Sequence, residues 1–181
     1  MNLYYKISEN DNYNTVKDIL ISYFKISHRL LIKLKNVQAI FLNSSLVSVN
    51  TKVASGDIIK VNFDYEEDNS NIVPLNMKLD IIYEDEAYIV INKPAGIPVH
   101  PSILHFEDSL SNGLRFYFDS INLKKKIRPV NRIDKDTSGI VIFAKNEYVQ
   151  EALIRQMSSK DFVKEYLCVA EGFFNDKKRN Y

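Results

Sequence analysis

The chain has 181 residues, 45% of them hydrophobic, with 24 basic against 23 acidic side chains, one cysteine and no tryptophan. That length supports one good core or two small ones, and the composition is that of a globular chain, not a disordered one. The single Cys168 excludes an internal disulfide framework and a Cys-rich zinc module, no apolar run reaches the roughly 18 residues of a membrane span, and a net charge of +1 excludes a uniformly basic coat. The polar start, MNLYYKISENDNYN, lacks the apolar stretch of a signal peptide, so the expected location is the cytoplasm, with no membrane partner.

The charge is unevenly spread. Residues 1–63 carry eight basic and four acidic side chains, a balance of +4. Residues 64–76, with Asp64, Glu66, Glu67 and Asp68 followed by Asn69, Ser70, Asn71 and Pro74, have no periodic apolar pattern and read as a linker. Residues 77–181 carry 16 basic and 15 acidic groups. A small basic unit followed by a larger neutral one is the expected organisation.

In the first unit, Val16, Ile19, Leu20, Tyr23 and Phe24 share one helical face behind Thr15, a good cap. Ser27 can cap a second helix with Leu30, Leu31 and Leu34 inside. Its other side carries His28, Arg29, Lys33 and Lys35. β-prone runs follow at 39–42, 46–49 and 57–63, with turns at Asn43-Ser44-Ser45 and Ser55-Gly56-Asp57. Cations crowded on one helix suit phosphate contacts, the alternative being an ordinary solvated face.

In the second unit, residues 79–83 and 87–92 are β-rich runs that read as a hairpin around Glu84-Asp85-Glu86. Three prolines in Lys93–Pro101 impose a rigid loop. Leu110, Gly113, Leu114, Tyr117 and Phe118 make a helical stripe, and Lys124-Lys125-Lys126 a basic loop. GIVIFAK at 139–145 is a strand, Asn146 caps a helix with Val149, Ala152, Leu153 and Met157 inside, and 164–170 reads as a further strand. The irregular alternation of strands and helices favours an α+β fold with a mixed or antiparallel sheet.

The densest polar cluster, Asn131-Arg132-Ile133-Asp134-Lys135-Asp136-Thr137-Ser138-Gly139, feeds directly into the GIVIFAK strand, a usual place for a site although a capped turn would look similar. Arg132 and Asp134 face the same way in extended geometry. The Asp-x-Asp-x-Thr signature of haloacid-dehalogenase-like phosphatases fits poorly. Thr137 comes one position early, and Arg128-Pro129-Val130-Asn131-Arg132 is a poor buried strand.

The same cluster resembles the RluA family of RNA pseudouridine synthases, whose signature is His-Arg-Leu-Asp-x-x-Thr-Ser-Gly followed by an apolar strand ending Ala-Lys. The run 79–102, through Lys93-Pro94-Ala95-Gly96, resembles the family's first motif, and Lys164-Glu165-Tyr166 its Lys-x-Tyr motif. The segment 27–61 resembles an S4 RNA-binding domain, as found in the RluD-like branch, with Asn43-Ser44-Ser45 where that family commonly has Asn-Gly.

The resemblance implies an S4-like α/β module at 1–63, a linker at 64–76 and the N-terminal part of a pseudouridine synthase catalytic domain at 77–181. It implies isomerisation of uridine in structured RNA, ribosomal or transfer, by a monomer that uses no cofactor and no metal. Asp134 matches the catalytic aspartate, acting either as a nucleophile on C1′ or as a base on the sugar. Arg132 matches the arginine that fills the space left by the extruded base, and Tyr166 the tyrosine that stacks on it. Lys164 would position the strand or meet phosphate, and His28, Arg29, Lys33 and Lys35 would meet RNA. Asn131 stands in place of the family histidine. The family's late Gly-Arg-Thr-His-Gln-Ile-Arg segment has no counterpart in the chain, which reads as truncated relative to the family. The competing expectation is therefore an S4-type RNA-binding protein with impaired catalysis. His100, His105 and Cys168 do not have metal-ligand spacing and are assigned to structure.

Overall fold

A computed structural model describes residues 1–159 and 162–172. The chain folds into two four-stranded sheets, each with its own apolar core. All pairings within both are antiparallel.

The first sheet has the order β1-β4-β2-β3, from β1 (Asn2–Lys6), β2 (Ile40–Leu42), β3 (Ser45–Leu46) and β4 (Ile58–Asn62). A helical turn, α1 (Val16–Asp18), runs into a π-helical turn at Ile19–Tyr23, and α2 (His28–Asn36) follows. Thr15 and Asp18 form a reciprocal capping box on α1, and the Ser27 hydroxyl accepts from Leu30 N at the start of α2. Val16, Ile19, Leu20, Leu30, Leu31 and Leu34 drive these helices onto Ile59 and Val61 of β4. Tyr23 departs from the helical stripe and is half exposed, because the wider π turn rotates it out of register. The β2–β3 hairpin turns on Asn43 (φ 49°) and Ser44 (φ 70°), the paired left-handed conformation of a two-residue hairpin. Asn43 tolerates it by bonding its amide to Asp57 Oδ1 at 2.7 Å and its carbonyl to Ile58 N at 2.9 Å.

The second sheet has the order β5-β6-β8-β7, from β5 (Ile81–Glu84), β6 (Tyr88–Lys93), β7 (Arg128–Pro129) and β8 (Gly139–Ala144). Helix α3 (Leu110–Ser120), capped by Ser109, lays Leu110, Leu114 and Phe118 on the face made by Ile89, Ile91, Val141 and Phe143. Helix α4 (Glu147–Met157), capped by Asn146, packs Val149 against Ala144 and Val130. On the opposite face Ile140 is 57% and Ile82 55% exposed.

Residues 64–76 form no helix or strand but are packed, not loose. The Glu67 side chain is 4% exposed and accepts two bonds from Arg128, at 2.8 and 2.6 Å. Lys33 of α2 meets the same carboxylate and also Glu147 at 3.0 Å. Residues 124–126 form the expected loop, but Lys125 in it is not solvated. It is buried and donates to the carbonyls of Phe63 and Tyr65 at 2.7 and 2.6 Å. Ser27 donates to Glu151 at 2.6 Å, and the Phe63 and Tyr148 rings lie 5.4 Å apart. These contacts bolt the basic helix to α4 and β7.

The expected strand at 164–170 carries no ladder. Leu167 and Val169 are fully exposed, and β propensity without a partner strand leaves the backbone unpaired. The final residues of the second unit, 173–181, and residues 160–161 lie outside the described residues.

Candidate nucleotide site

The loop between β7 and β8 is held from both flanks. On one flank, Asn131 acts as one more rung of the ladder. Its amide donates to Ile140 O at 2.9 Å and its carbonyl accepts from Ile142 N at 2.8 Å. Val130 N donates to Ile142 O at 2.7 Å just before it. Asn131 thus continues, by its side chain, the pairing that β7 begins and Pro129 cannot prolong.

On the other flank lies Lys93, whose side chain is fully buried at the end of β6. Its ammonium donates to the carbonyls of Pro94, Ile97 and Lys135 at 2.9, 2.7 and 2.8 Å, one for each of its three protons. Gly96 N adds a bond to the same Lys135 carbonyl at 2.9 Å, from a backbone φ of 90° that suits glycine. Burial lowers the Lys93 pKa, while Asp136 and Asp134 oppose that shift. The cation therefore sits beneath the loop in the field of both carboxylates.

Between these anchors, Ile133 packs on the second core while Arg132 and Asp134 are exposed on either side of it. Thr137 N closes the turn on Asp134 O at 3.2 Å. Among the described residues the Asp134 carboxylate accepts no hydrogen bond, so it is free to meet a ligand. His100 borders Arg132. Its pKa is lowered by burial and then by the Arg132 charge. Its Nδ1 lies 3.2 Å from Ser111 Oγ, whose own proton goes to Val99 O at 2.7 Å. Nδ1 must then be the donor, which leaves Nε2 as an acceptor.

A cleft of about 720 Å³ opens between the outer face of β8 (Ile140, Ile142), the loop at Asn131, Asp136 and Ser138, and the extended segment Phe162–Leu167. Tyr166 and Lys164 line it, whereas Arg132 and Asp134 do not. The structure thus brings Tyr166 and Lys164 to the Asp134 loop without setting them against the carboxylate itself. Tyr166 is 66% exposed. On α2, His28, Arg29 and Lys35 are exposed, and Lys33 alone is spent in the ion network.

Sequence reading placed Lys93 only within a motif and His105 only among the structural residues; neither was singled out as a support of the Asp134 loop. The imidazole Nε2 of His105 lies 3.2 Å from Lys135 Nζ and its Nδ1 2.8 Å from Asp108 Oδ2. The Lys-Pro-x-Gly loop was the available signal for Lys93. For His105 no local signal existed.

The family model described as RNA pseudouridylate synthase matches residues 87–180. Ribosomal large subunit pseudouridine synthase D of Borreliella burgdorferi is 37% identical over 161 residues, covering 84% of this chain and 49% of the relative. Two RNA pseudouridine synthases of Bacillus subtilis, both named as uncharacterized, are also similar. YlyB is 36% identical over 75% of this chain and 46% of its own, and YhcT 31% identical over 95% and 57%. The chain spans about half the length of the curated relatives it matches.

Proposed function

We infer that this chain, which belongs to the RNA pseudouridylate synthase family, converts uridine to pseudouridine in RNA, with Asp134 as the catalytic carboxylate. Large-subunit ribosomal RNA is the favoured substrate, on the strength of the relatives' names. The N1–C1′ bond of the target breaks, the base turns, and C5 bonds to C1′. C5 gives up its proton and N1 gains one, so the reaction is balanced without an oxidant or reductant. Asp134 either attacks C1′ or takes a sugar proton.

The observation that carries this reading is the state of Asp134: a solvent-facing carboxylate on a loop fixed by Asn131 and Lys93, beside a cleft wide enough for a base. Extruding the uridine costs a few kcal/mol of stacking, which Arg132 would offset by occupying its place and Tyr166 by stacking on the base. Lys164 would meet an adjacent phosphate. Residues 1–63 would serve as an S4-like module that docks on structured RNA through His28, Arg29 and Lys35. Residues 64–76 would join it to the catalytic unit that begins at 77.

The test is tritium release from an unmodified large-subunit rRNA transcript labelled at uridine C5. The chain should release tritium, and Asp134→Asn should lower the rate by at least about 10³-fold with an unchanged melting temperature. Equal release by the two proteins would end the assignment.

A further inference from the structure

Residues 102–105 form a closed turn. Ser102 N donates to His105 O and His105 N to Ser102 O, both at 3.1 Å. Its two tip residues are Ile103, 99% exposed, and Leu104, 88% exposed, and Phe106 follows at 55%. The turns at Asn43-Ser44, Ser55-Gly56 and Ala95-Gly96 carry Asn, Ser or Gly, residues that suit a tight turn. Two aliphatic side chains fully displayed on a hydrogen-bonded turn cannot be explained by packing, and an exposed apolar cluster of this kind marks a contact surface.

The turn is tied to the Asp134 loop. Lys135 Nζ donates to His105 Nε2, which accepts only while Nδ1 carries the ring proton, and that proton goes to Asp108. The bond from His105 holds the Asp108 carboxyl below the usual carboxylate range. This chain of donors runs in one direction and fixes the apolar tip beside the residue that follows Asp134. Lys135 places a cation in the same contact.

We propose that Ile103 and Leu104 form a wedge that packs against the faces of the bases neighbouring the uridine presented to Asp134. The partner is an RNA strand locally unstacked at the target. The inference rests on the assignment of Asp134 above. Apolar side chains inserted at a base step lower the cost of unstacking, and bases laid bare by an extruded neighbour present apolar faces of matching size. Lys135 supplies a phosphate contact that such a strand requires and a purely apolar protein partner would not.

The test places a photoreactive benzoylphenylalanine at Leu104, irradiates the full chain with an unmodified large-subunit rRNA transcript, and maps adducts by primer extension. The expected result is one cluster of adducts, within about three nucleotides of the uridine that the chain converts. Adducts scattered along the RNA, or between copies of the chain, would overturn the wedge. In parallel, Ile103→Ser/Leu104→Ser should keep its melting temperature and bind the transcript within threefold of the parent, while turnover falls at least tenfold. Unchanged turnover would overturn the proposal. If the parent converts no uridine yet gives one adduct cluster, the catalytic assignment fails and the RNA contact stands. If it converts uridine and the adducts lie elsewhere, the wedge alone fails.

Discussion

The ammonium of Lys93 donates to the main-chain carbonyl of Lys135, 42 residues further along the chain, at 2.8 Å. That bond joins the Lys-Pro-x-Gly loop to the Asp134 turn, and it is made by a fully buried cation that forms no ion pair within 4.0 Å among the described residues. Carbonyl dipoles alone satisfy the charge, and the carboxylates of Asp134 and Asp136 supply the longer-range compensation.

Lys93→Met should therefore destabilise the chain by about 2–4 kcal/mol. It keeps the aliphatic packing of the stem but leaves three carbonyls without their charged donor. Urea denaturation followed by tryptophan-free probes such as far-ultraviolet circular dichroism would measure it. A loss of unfolding free energy below about 1 kcal/mol would show that the three carbonyls do not depend on the ammonium.

Asn131 separates two roles in one side chain. Asn131→Asp keeps an acceptor for Ile142 N but turns a donor at Ile140 O into a repulsive contact. Asn131→Ala removes both bonds. Each should cost about 1–3 kcal/mol, with Asp the costlier where its charge is held near the carbonyl. Tritium release should fall in both, through kcat more than KM, because the loop that carries Asp134 loses its register. Wild-type kcat in Asn131→Ala would show that Lys93 alone positions the loop.

How much of this could be read beforehand depends on how local the cause is. The α2, α3 and α4 helices were legible because Ser27, Ser109 and Asn146 cap them and their buried residues recur at helical spacing. β6 and β8 were legible as apolar runs. β1 was not, since Asn2–Lys6 alternates polar and aromatic residues at a sheet edge, and the pattern means nothing until β4 is beside it. β7 is two residues long and includes Pro129. Above all, the burial of Lys93, Lys125 and Glu67 depends on carbonyls and cations from remote segments, so three charged residues that look solvated are the pins of the structure. At the site, Asp134 and Arg132 were legible from their motif, whereas the link from Lys135 through His105 to Asp108 exists only in three dimensions.

The three Lys and Arg side chains of α2 should divide into two kinds. Arg29→Ala and Lys35→Ala remove exposed charges, so each should lower the log–log salt slope of RNA binding by about 1. Lys33→Ala removes a partner of Glu67 and Glu147, so it should leave that slope unchanged and lower the melting temperature instead. Filter binding of the rRNA transcript across a salt series, with thermal melts of the same proteins, distinguishes the two. A reduced slope for Lys33→Ala would place its ammonium on the RNA.

The Glu67–Arg128 pair makes acid stability a measure of the junction. Burial alone would raise the Glu67 pKa, but the hydrogen bonds from Arg128 and Lys33, with their charges, hold it below the usual 4.5. A carboxyl depressed in the folded state binds its proton more weakly there than in the unfolded chain. Its contribution is complete above 4.5 and is lost as pH falls from there through the depressed value. Glu67→Gln should therefore flatten the acid limb of stability against pH while lowering stability near neutrality. Glu67→Leu should cost more, about 3–5 kcal/mol, because it leaves the Arg128 guanidinium, whose side chain is 6% exposed, with only the longer 3.5 Å contact to Glu147 as an ion pair. Combining Glu67→Leu with Arg128→Met should cost clearly less than the two single changes together, since neither charge is then left alone. Urea titrations of the parent and the four variants between pH 3 and pH 7 measure both effects. Additive losses with a parallel acid limb would mean that the pair is solvated and does not hold the basic helix to the second sheet.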